Sequence, residues 1–582
     1  MTAVNSAVAC IQSLVWLAVG LSLHLGCRPA RDPDQWVVAV DAPVKDLDPR
    51  LAVDGPSARL SRLVFSGLTQ VDEHGTPALD LAALITLETA LVARVHLRPN
   101  LRFHDGQPLT AADVALTYST VLDPAFGTPI GSEFRKRLAA VVADPVDALV
   151  VRFVLRKPLA TLWTDLVVGI APAHLLRHAV KQRFAGPVIG SGPWRLRGVA
   201  NGERVEVERF DLEGIAAVGT PKRLVFRAIA DEGARALAVL GGGADVAWSG
   251  LSPAVLRGAQ ATADARVIAA AGIAFTYLGF NLRHPKLHDP RVRRALALAL
   301  DRQTLIAAVL GGRARLADGL FAAGHWARVD LPVVPYDPHT AARLLDQAGL
   351  VAGPDGVRLH IDIKVSTSRM RRQLARALAD QWRAIGVQAQ VRPFELSTFL
   401  ADVRAGRFEV FVLQLPEPFE PDQLAWMLHS QNAAVKTADL AAPSPYAQMD
   451  RRGIAVTAWD AALDSDPVCA NWQKRKRMEG LLAFSLAAIG NVGATGSANR
   501  SGYAQPWVDC WLDLGAAAFD RPTRKSWYAK AQHQIALDLP IVPLWWEDIA
   551  VLVAPNVDGL QLPADGRYSV LGAMRHRAVP PP

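Results

Sequence analysis

Leu97-Arg98-Pro99-Asn100-Leu101-Arg102-Phe103-His104-Asp105-Gly106-Gln107-Pro108-Leu109-Thr110-Ala111-Ala112-Asp113-Val114 carries a strand end, a tight turn and a helix start in one short run. Ahead of it, Leu91, Ala93, Val95 and Leu97 alternate with Val92, Arg94 and His96. A period of two is that of a strand with one apolar face. Phe103 to Leu109 reads as a turn, with Gly106 where a left-handed backbone is cheap. Thr110 then caps a helix, and Asp113 three residues on makes a capping box with Asp in place of Glu.

The same punctuation continues on both sides. Trp36 to Val40 is a strand followed by a turn at Leu47-Asp48-Pro49, and Arg59 to Leu68 reads as a helix. Strands are expected at Val150 to Leu155, Val205 to Glu208, Arg223 to Ala228, Phe275 to Asn281, Arg358 to Val365 and Val387 to Val391. Helical periodicity covers Asp231 to Leu240, Asp289 to Ala307, Thr340 to Ala348 and Arg371 to Ile385, the last two closed by Gly349 and Gly386. Strands alternating with helices argue an α/β architecture. Ala441 to Ser465 shows no clear period and reads as a long loop, and Gln473 to Arg477 is a short basic run that reads as a solvated helix face.

The chain has 582 residues, enough for several domain-sized units. Hydrophobic residues make up 51% and charged residues 20%, a balance that buries a large core and excludes wholesale disorder. A net charge of +8 over this length is modest, and without a clustered basic stripe it calls for no nucleic-acid partner.

Met1 to Gly26 contains no Asp, Glu, Lys or Arg, and Ile11 to Leu25 is strongly apolar. That run is short for a membrane span and fits a signal-peptide core. Gly26-Cys27 at its end resembles the lipobox of a bacterial lipoprotein, which implies cleavage before Cys27 and a lipid on its thiol. A different cleaved signal and an uncleaved anchor are the other readings, and all three put the remaining chain outside the cytoplasmic membrane. Of the other cysteines, Cys10 leaves with a signal, while Cys469 and Cys510 are free to pair in an oxidising compartment, although spacing alone does not decide it. Four scattered cysteines exclude a Cys-rich zinc module.

The order of motifs resembles the solute-binding proteins of ATP-binding-cassette importers, in the dipeptide, oligopeptide and nickel branch (family 5). The residues that carry the resemblance are Leu47-Asp48-Pro49 with Leu63 to Thr69, the opening string Leu97 to Val114, Gly190-Ser191-Gly192-Pro193-Trp194, Gly279-Phe280-Asn281 with Val292 to Ala295, Asn499 to Tyr503 with Asp509, and Leu539 to Leu544. It spans about Trp36 to Tyr568, apart from a segment at Gln431 to Ala498 that looks like an insertion. The implied fold is the two-lobed periplasmic binding protein fold (type II, class C) with an additional domain on the N-terminal lobe. The expected divisions are signal 1–26, lobe I at 28–66, 187–275 and 540–582, the extra domain at 67–186, and lobe II at 276–539 with its insertion at about 431–498.

The resemblance also implies a function. The expected activity is capture of an extended peptide or similar small solute between two lobes, and its delivery to the permease subunits of the importer. The expected protein is a monomer held to the membrane by its lipid, with no cofactor and no catalysis. Peptide-binding relatives meet the ligand amino terminus with an acidic residue, because a buried ammonium is costly without a carboxylate. In Leu413 to Pro421 the nearest acid is Glu417, slightly out of register, and Leu415 stands where Trp is expected. This departure also leaves anionic or uncharged ligands open. Phe275, Tyr277 and Asn281 are candidate cleft residues, and Arg404 lies near the position of a ligand-facing Arg. Gly190, Gly192 and Pro193 are candidate hinge residues at a crossing between lobes. Arg293 and Arg294 read as surface or ion-pair residues, and His104 as a packing residue.

Rival readings are weaker. His174 and His178 share a helix spacing, but no Glu follows His174, and Pro285 breaks the His284–His288 pair. The chain has neither a Gly-x-Ser-x-Gly elbow nor a phosphate-binding Gly-x₄-Gly-Lys loop. A nickel or metal-chelate binder, and a surface signalling or adhesin lipoprotein that kept the fold, are the alternatives.

Overall fold

Three large apolar cores organise the described residues. The computed structural model describes residues 32–577 apart from 33, 73, 177–183, 185–186, 211–219, 249, 263–264, 431–466 and 479–498, and the side chains of 473–478. The signal region, Cys27 and most of the expected insertion lie outside the described residues. The first core joins Trp36 to Phe65, Trp194 to Ala265 and Val551 to Met574, and forms lobe I. The second lies within Leu68 to Ile170, the accessory domain. The third runs from Ile273 to Trp546 and forms lobe II.

The accessory domain grows from the stretch quoted first. Val92–Leu97 buries Ala93, Val95 and Leu97 and exposes the alternate residues more, as a period of two requires. It is central in an antiparallel sheet ordered Ala82–Thr89, Val92–Leu97, Val150–Leu155, Leu138–Ala143. Gly106 has φ +85° in the turn that follows. The helix Ala111–Leu122 starts at Thr110, and Asp113 Oδ2 accepts from Thr110 N at 2.8 Å and from Thr110 Oγ1 at 2.9 Å. This helix packs on the sheet through Tyr118, whose ring meets Phe153 edge-on at 5.0 Å. The described helices include none long and apolar enough to cross a membrane.

One large mixed sheet runs through both lobes. Its order is Val387–Phe394, Leu359–Ser366, Val410–Leu415, Arg266–Phe280, Ile541–Val553, Val246–Ala247, Gln35–Val40, Arg223–Ala228, Arg204–Arg209, Trp194–Ala200. The two longest strands, Arg266–Phe280 and Ile541–Val553, pair antiparallel and carry the chain between lobes. Arg266 to Ala270 pairs on the lobe I side and Ala274 to Gly279 on the lobe II side, with a register shift between. Gly272 sits in that shift, where a Cβ would come within 2.2 Å of Glu547 O. The chain therefore changes lobes in mid-strand, before Phe275 and after Pro540.

The expected hinge residues lie away from this crossing. Gly190, Gly192 and Pro193 lie at the seam of lobe I with the accessory domain. Gly192 N donates to Val64 O at 2.8 Å, and His104 N donates to Gly190 O at 2.9 Å. A Cβ on Gly190 would come within 1.9 Å of Val64 O, so glycine serves close backbone approach here.

Local capping moved several boundaries. The first helix runs Gly55–Val64, earlier than the apolar period suggests, because Asp54 caps it and Pro56 opens it. The stretch read as one helix from Asp289 divides into Pro290–Leu298 and Arg302–Leu310, since the Asp301 side chain accepts from Thr304 N and starts a new helix. Arg293, read as a surface or ion-pair residue, is buried and donates to four carbonyls, those of Leu287, His288, Asp538 and Leu539. Arg294 is exposed.

Candidate functional site

A cavity of about 1360 Å³ lies between the lobes. One wall comes from the helix Gly55–Val64, the accessory domain and the segment Asp565 to Ser569, and the other from Phe419 to His429 and Leu512 to Ala517. The two walls carry different charge. The lobe I and accessory side presents Arg59, Arg62, Lys136, Arg137, Arg156, Lys157 and Arg567 with four carboxylates. The lobe II side presents Glu420, Asp422 and Asp513 and no Lys or Arg.

Three carboxylates meet across this gap. Asp165, on the accessory domain, takes Arg137 Nη1 at 2.6 Å, and its side chain is 13% exposed. Burial pushes its carboxyl up to about 6; Arg137 opposes the shift, and the Asp422 carboxylate adds to it from the facing lobe. Glu420 pairs with Arg524. Burial drives the Glu420 carboxyl upward, Arg524 pulls it down, and Asp422 and Asp165 add to the rise. Asp422 accepts from Tyr528 Oη and lies 3.6 Å from Arg524. Burial and the neighbouring Asp422 carboxylate hold the Tyr528 phenol well above its ordinary value. Two guanidinium groups thus serve three carboxylates. A cationic group entering the gap would relieve the imbalance.

The sequence-derived candidates lie elsewhere. Glu417 follows the strand Val410–Leu415 and bridges the lobes: its carboxylate lies 3.4 Å from Arg62 Nη1 and 3.9 Å from Arg59 Nη2. Leu415 ends that strand opposite Phe275. Phe275 is buried and stacks on Tyr277 at 5.5 Å, in the lobe II core. Asn281 Nδ2 donates to Gly406 O at 3.1 Å and Phe408 O at 2.8 Å, which ties two loops together. Arg404 is exposed at the end of the helix Leu396–Arg404. None of these six lines the cavity. Asp165, Glu420 and Asp422 were not singled out by the sequence. An acid on each side of Pro421 was the one local hint.

The histidines have structural partners. His104 Nε2 lies 2.9 Å from Gly192 O while Gly190 N donates to Nδ1 at 3.3 Å, and burial lowers the pKa of the ring. His174 Nε2 lies 2.7 Å from Asp105, and His284 Nε2 lies 3.1 Å from Glu409. His178 lies outside the described residues. Among those described, no group of three or more His, Cys, Asp or Glu could hold a metal ion. Cys469 and Cys510 form a disulfide that ties the helix Pro467–Met478 to the helix Pro506–Ala517. Trp472 on the first of these helices reaches the cavity wall and donates to Asp513 at 3.0 Å.

Two lobes joined by a strand pair, with a charged cleft between them, define a two-lobed solute-binding protein. The model of bacterial extracellular solute-binding proteins, family 5 (middle region), matches residues 78–435, and the chain belongs to that family. The oligopeptide-binding protein AppA of Bacillus subtilis is 24% identical over 394 residues, 64% of this chain and 72% of its own. The glutathione-binding protein GsiB of Salmonella paratyphi A is 26% identical over 395 residues, covering 67% and 75%. The crystal structure of NikZ from Campylobacter jejuni in complex with Ni(L-His) shares the fold, with a TM-score of 0.71, 22% identity, and coverage of 94% of this chain and 100% of its own.

Proposed function

We propose that the protein captures a small solute with a free amino group, peptide-like in kind, and delivers it to the permease of an ABC importer. The protein works from the outer side of the membrane, held there by a lipid on Cys27. The observation that carries this reading is the cluster of Asp165, Glu420 and Asp422, shared between both walls of the cleft and served by only two arginines. An ammonium placed there would meet carboxylates from both lobes, so the contact exists in full only when the lobes are closed. A ligand that binds one state better shifts the population to it, which gives the permease a closed form to read. Relatives that bind oligopeptide and glutathione, both carrying a free amine, support the same ligand class.

The test is calorimetry and thermal unfolding of the mature chain with short peptides, nickel chelates and oligosaccharides. Peptides with a free amino terminus should bind and raise the unfolding midpoint. N-acetylated versions of the same peptides should bind much more weakly. Equal binding of both versions would remove the amine from the reading.

A further inference from the structure

Trp472 belongs to the stretch Gln431 to Ala498, which the sequence sets apart as an insertion, and it sits on the helix Pro467–Met478. Among the described residues it alone brings that stretch to the wall of the cavity. Two rungs hold its helix against the helix Pro506–Ala517. Cys469 is bonded to Cys510, and both are buried. Three residues further on each helix, Trp472 Nε1 donates to Asp513 Oδ2 at 3.0 Å. Positions three apart share a helix face, so the disulfide and the indole bond act on one seam. The disulfide thus fixes the helix from which the indole reaches the cleft.

The polar atoms of this corner are turned on one another. Asp513 takes the indole N–H with one oxygen, and its other oxygen lies 3.5 Å from His429 Nε2. What remains for a cargo is apolar: the rings of Trp472 and Trp426, with Leu512 and Ala516 between the helices. A large indole whose N–H is already committed offers contact area and little hydrogen bonding.

The distance of this corner from the carboxylate cluster is set by one helix. Asp422, Trp426 and His429 all line the cavity, and four and seven residues separate the last two from Asp422. At about 1.5 Å per residue, Trp426 stands about 6 Å and His429 about 10 Å along the axis from Asp422. An extended peptide advances about 3.5 Å per residue, and its first and third side chains point the same way. A peptide with its amine at Asp422 that runs along this face places its third side chain about 7 Å on, between Trp426 and the His429–Asp513–Trp472 corner.

We infer that Trp472 is a specificity-determining residue, which together with Trp426 forms a subsite for a large apolar or aromatic side chain at the third position of a peptide cargo. The inference rests on the reading above that the amino group sits among Asp165, Glu420 and Asp422. The subsite is supplied by the inserted segment and held in place by the disulfide Cys469–Cys510.

The experiment is calorimetric titration of the mature chain with trialanine, Ala-Ala-Phe and Phe-Ala-Ala. Burying a phenyl side chain that trialanine lacks should make Ala-Ala-Phe bind about 10- to 100-fold more tightly than trialanine. Phe-Ala-Ala should gain less. Trp472→Ala should bring Ala-Ala-Phe down toward trialanine and leave trialanine unchanged, a split that a merely structural role would not produce. Trp472→Phe should keep most of the preference. Removing the disulfide by Cys469→Ser with Cys510→Ser should lower the preference with Trp472 still present, and an undiminished preference there overturns the role of the disulfide. Equal binding of Ala-Ala-Phe and trialanine by the unaltered chain, a result that needs no variant to fold, overturns this inference alone. So does a larger gain from Phe-Ala-Ala, or a preference that survives Trp472→Ala. No binding of any of the three peptides overturns both this inference and the amine reading.

Discussion

Replacing Asp165 with Asn tests the electrostatics of the cleft directly. The Asp165 carboxyl is raised from 3.8 to about 6 in the folded chain. Its proton is therefore bound more tightly folded than unfolded. The stability this gives is fully present below about pH 4 and is lost as pH rises through about 6. The rise corresponds to about 3 kcal/mol, an upper bound because 13% of the side chain remains exposed. Asp165→Asn removes the titration and also leaves Arg137 without its 2.6 Å partner, so the variant is offset at every pH. The offset cancels in the pH dependence of the difference. Urea unfolding of both proteins from pH 4 to pH 7.5 should show the variant gaining on the parent by about 2–3 kcal/mol, mostly between pH 4.5 and 6.5. A flat difference would mean that Asp165 titrates normally, and the crowded-carboxylate account of the cleft would fail.

Further outcomes follow from the geometry and, for Cys27, from the sequence. Glu417→Ala should weaken peptide binding by less than about fivefold, since exposed ion pairs contribute about 0.2–1 kcal/mol; a loss beyond 100-fold would put the ligand amine on Glu417. Scattering of the same variant should show a larger radius of gyration without ligand, because the contacts with Arg59 and Arg62 bridge the lobes. Reducing Cys469–Cys510, which closes a loop of 41 residues, should lower stability by up to about 4 kcal/mol in chain-entropy terms, and an unchanged unfolding midpoint would refute it. Gly272→Ala should cost about 1–3 kcal/mol by forcing a Cβ against Glu547 O, read from its denaturation curve. Cys27→Ser should abolish acyl labelling in cells, and persistent labelling would defeat the lipid anchor.

What was legible in the sequence is what short-range physics controls. The strand Val92–Leu97 and the Thr110–Asp113 capping pair depend on neighbours within a few residues, and both formed where the pattern put them. The long strand Arg266–Phe280 was read only over its aromatic half. Its first half, with Ala269-Ala270-Ala271-Gly272, has no alternation to detect, and its partner is the distant strand Ile541–Val553. The same limit hid the site. Asp165 acquires its character first from burial and then from Arg137 and Asp422, all of them set by the folded chain, with Asp422 brought near from far along the sequence. Glu417 was singled out because a motif surrounds it, yet its carboxylate turns to Arg59 and Arg62 at the lobe contact. Motif position told which segment faces the other lobe; it did not tell which side chains in that segment line the cavity.

The division of labour between Glu417 and its neighbours follows from solvent exposure. Glu417 keeps 22% of its side chain exposed, and its partner Arg62 keeps 52%. A pair so wet is weak, and it can form or break with little change in free energy. Such a contact suits a lobe boundary that must open to admit cargo. Glu420 and Asp165 keep 14% and 13%, and there each additional charge matters more because less water screens it. With the cleft empty, burial and the facing Asp422 carboxylate disfavour the ionised forms of Asp165 and Glu420, and this crowding across the gap opposes closure. An entering ammonium reverses that sign: it favours the ionised forms of Asp165 and Glu420 and draws the lobes together. Closure driven this way is selective, because water and neutral solutes leave the repulsion in place.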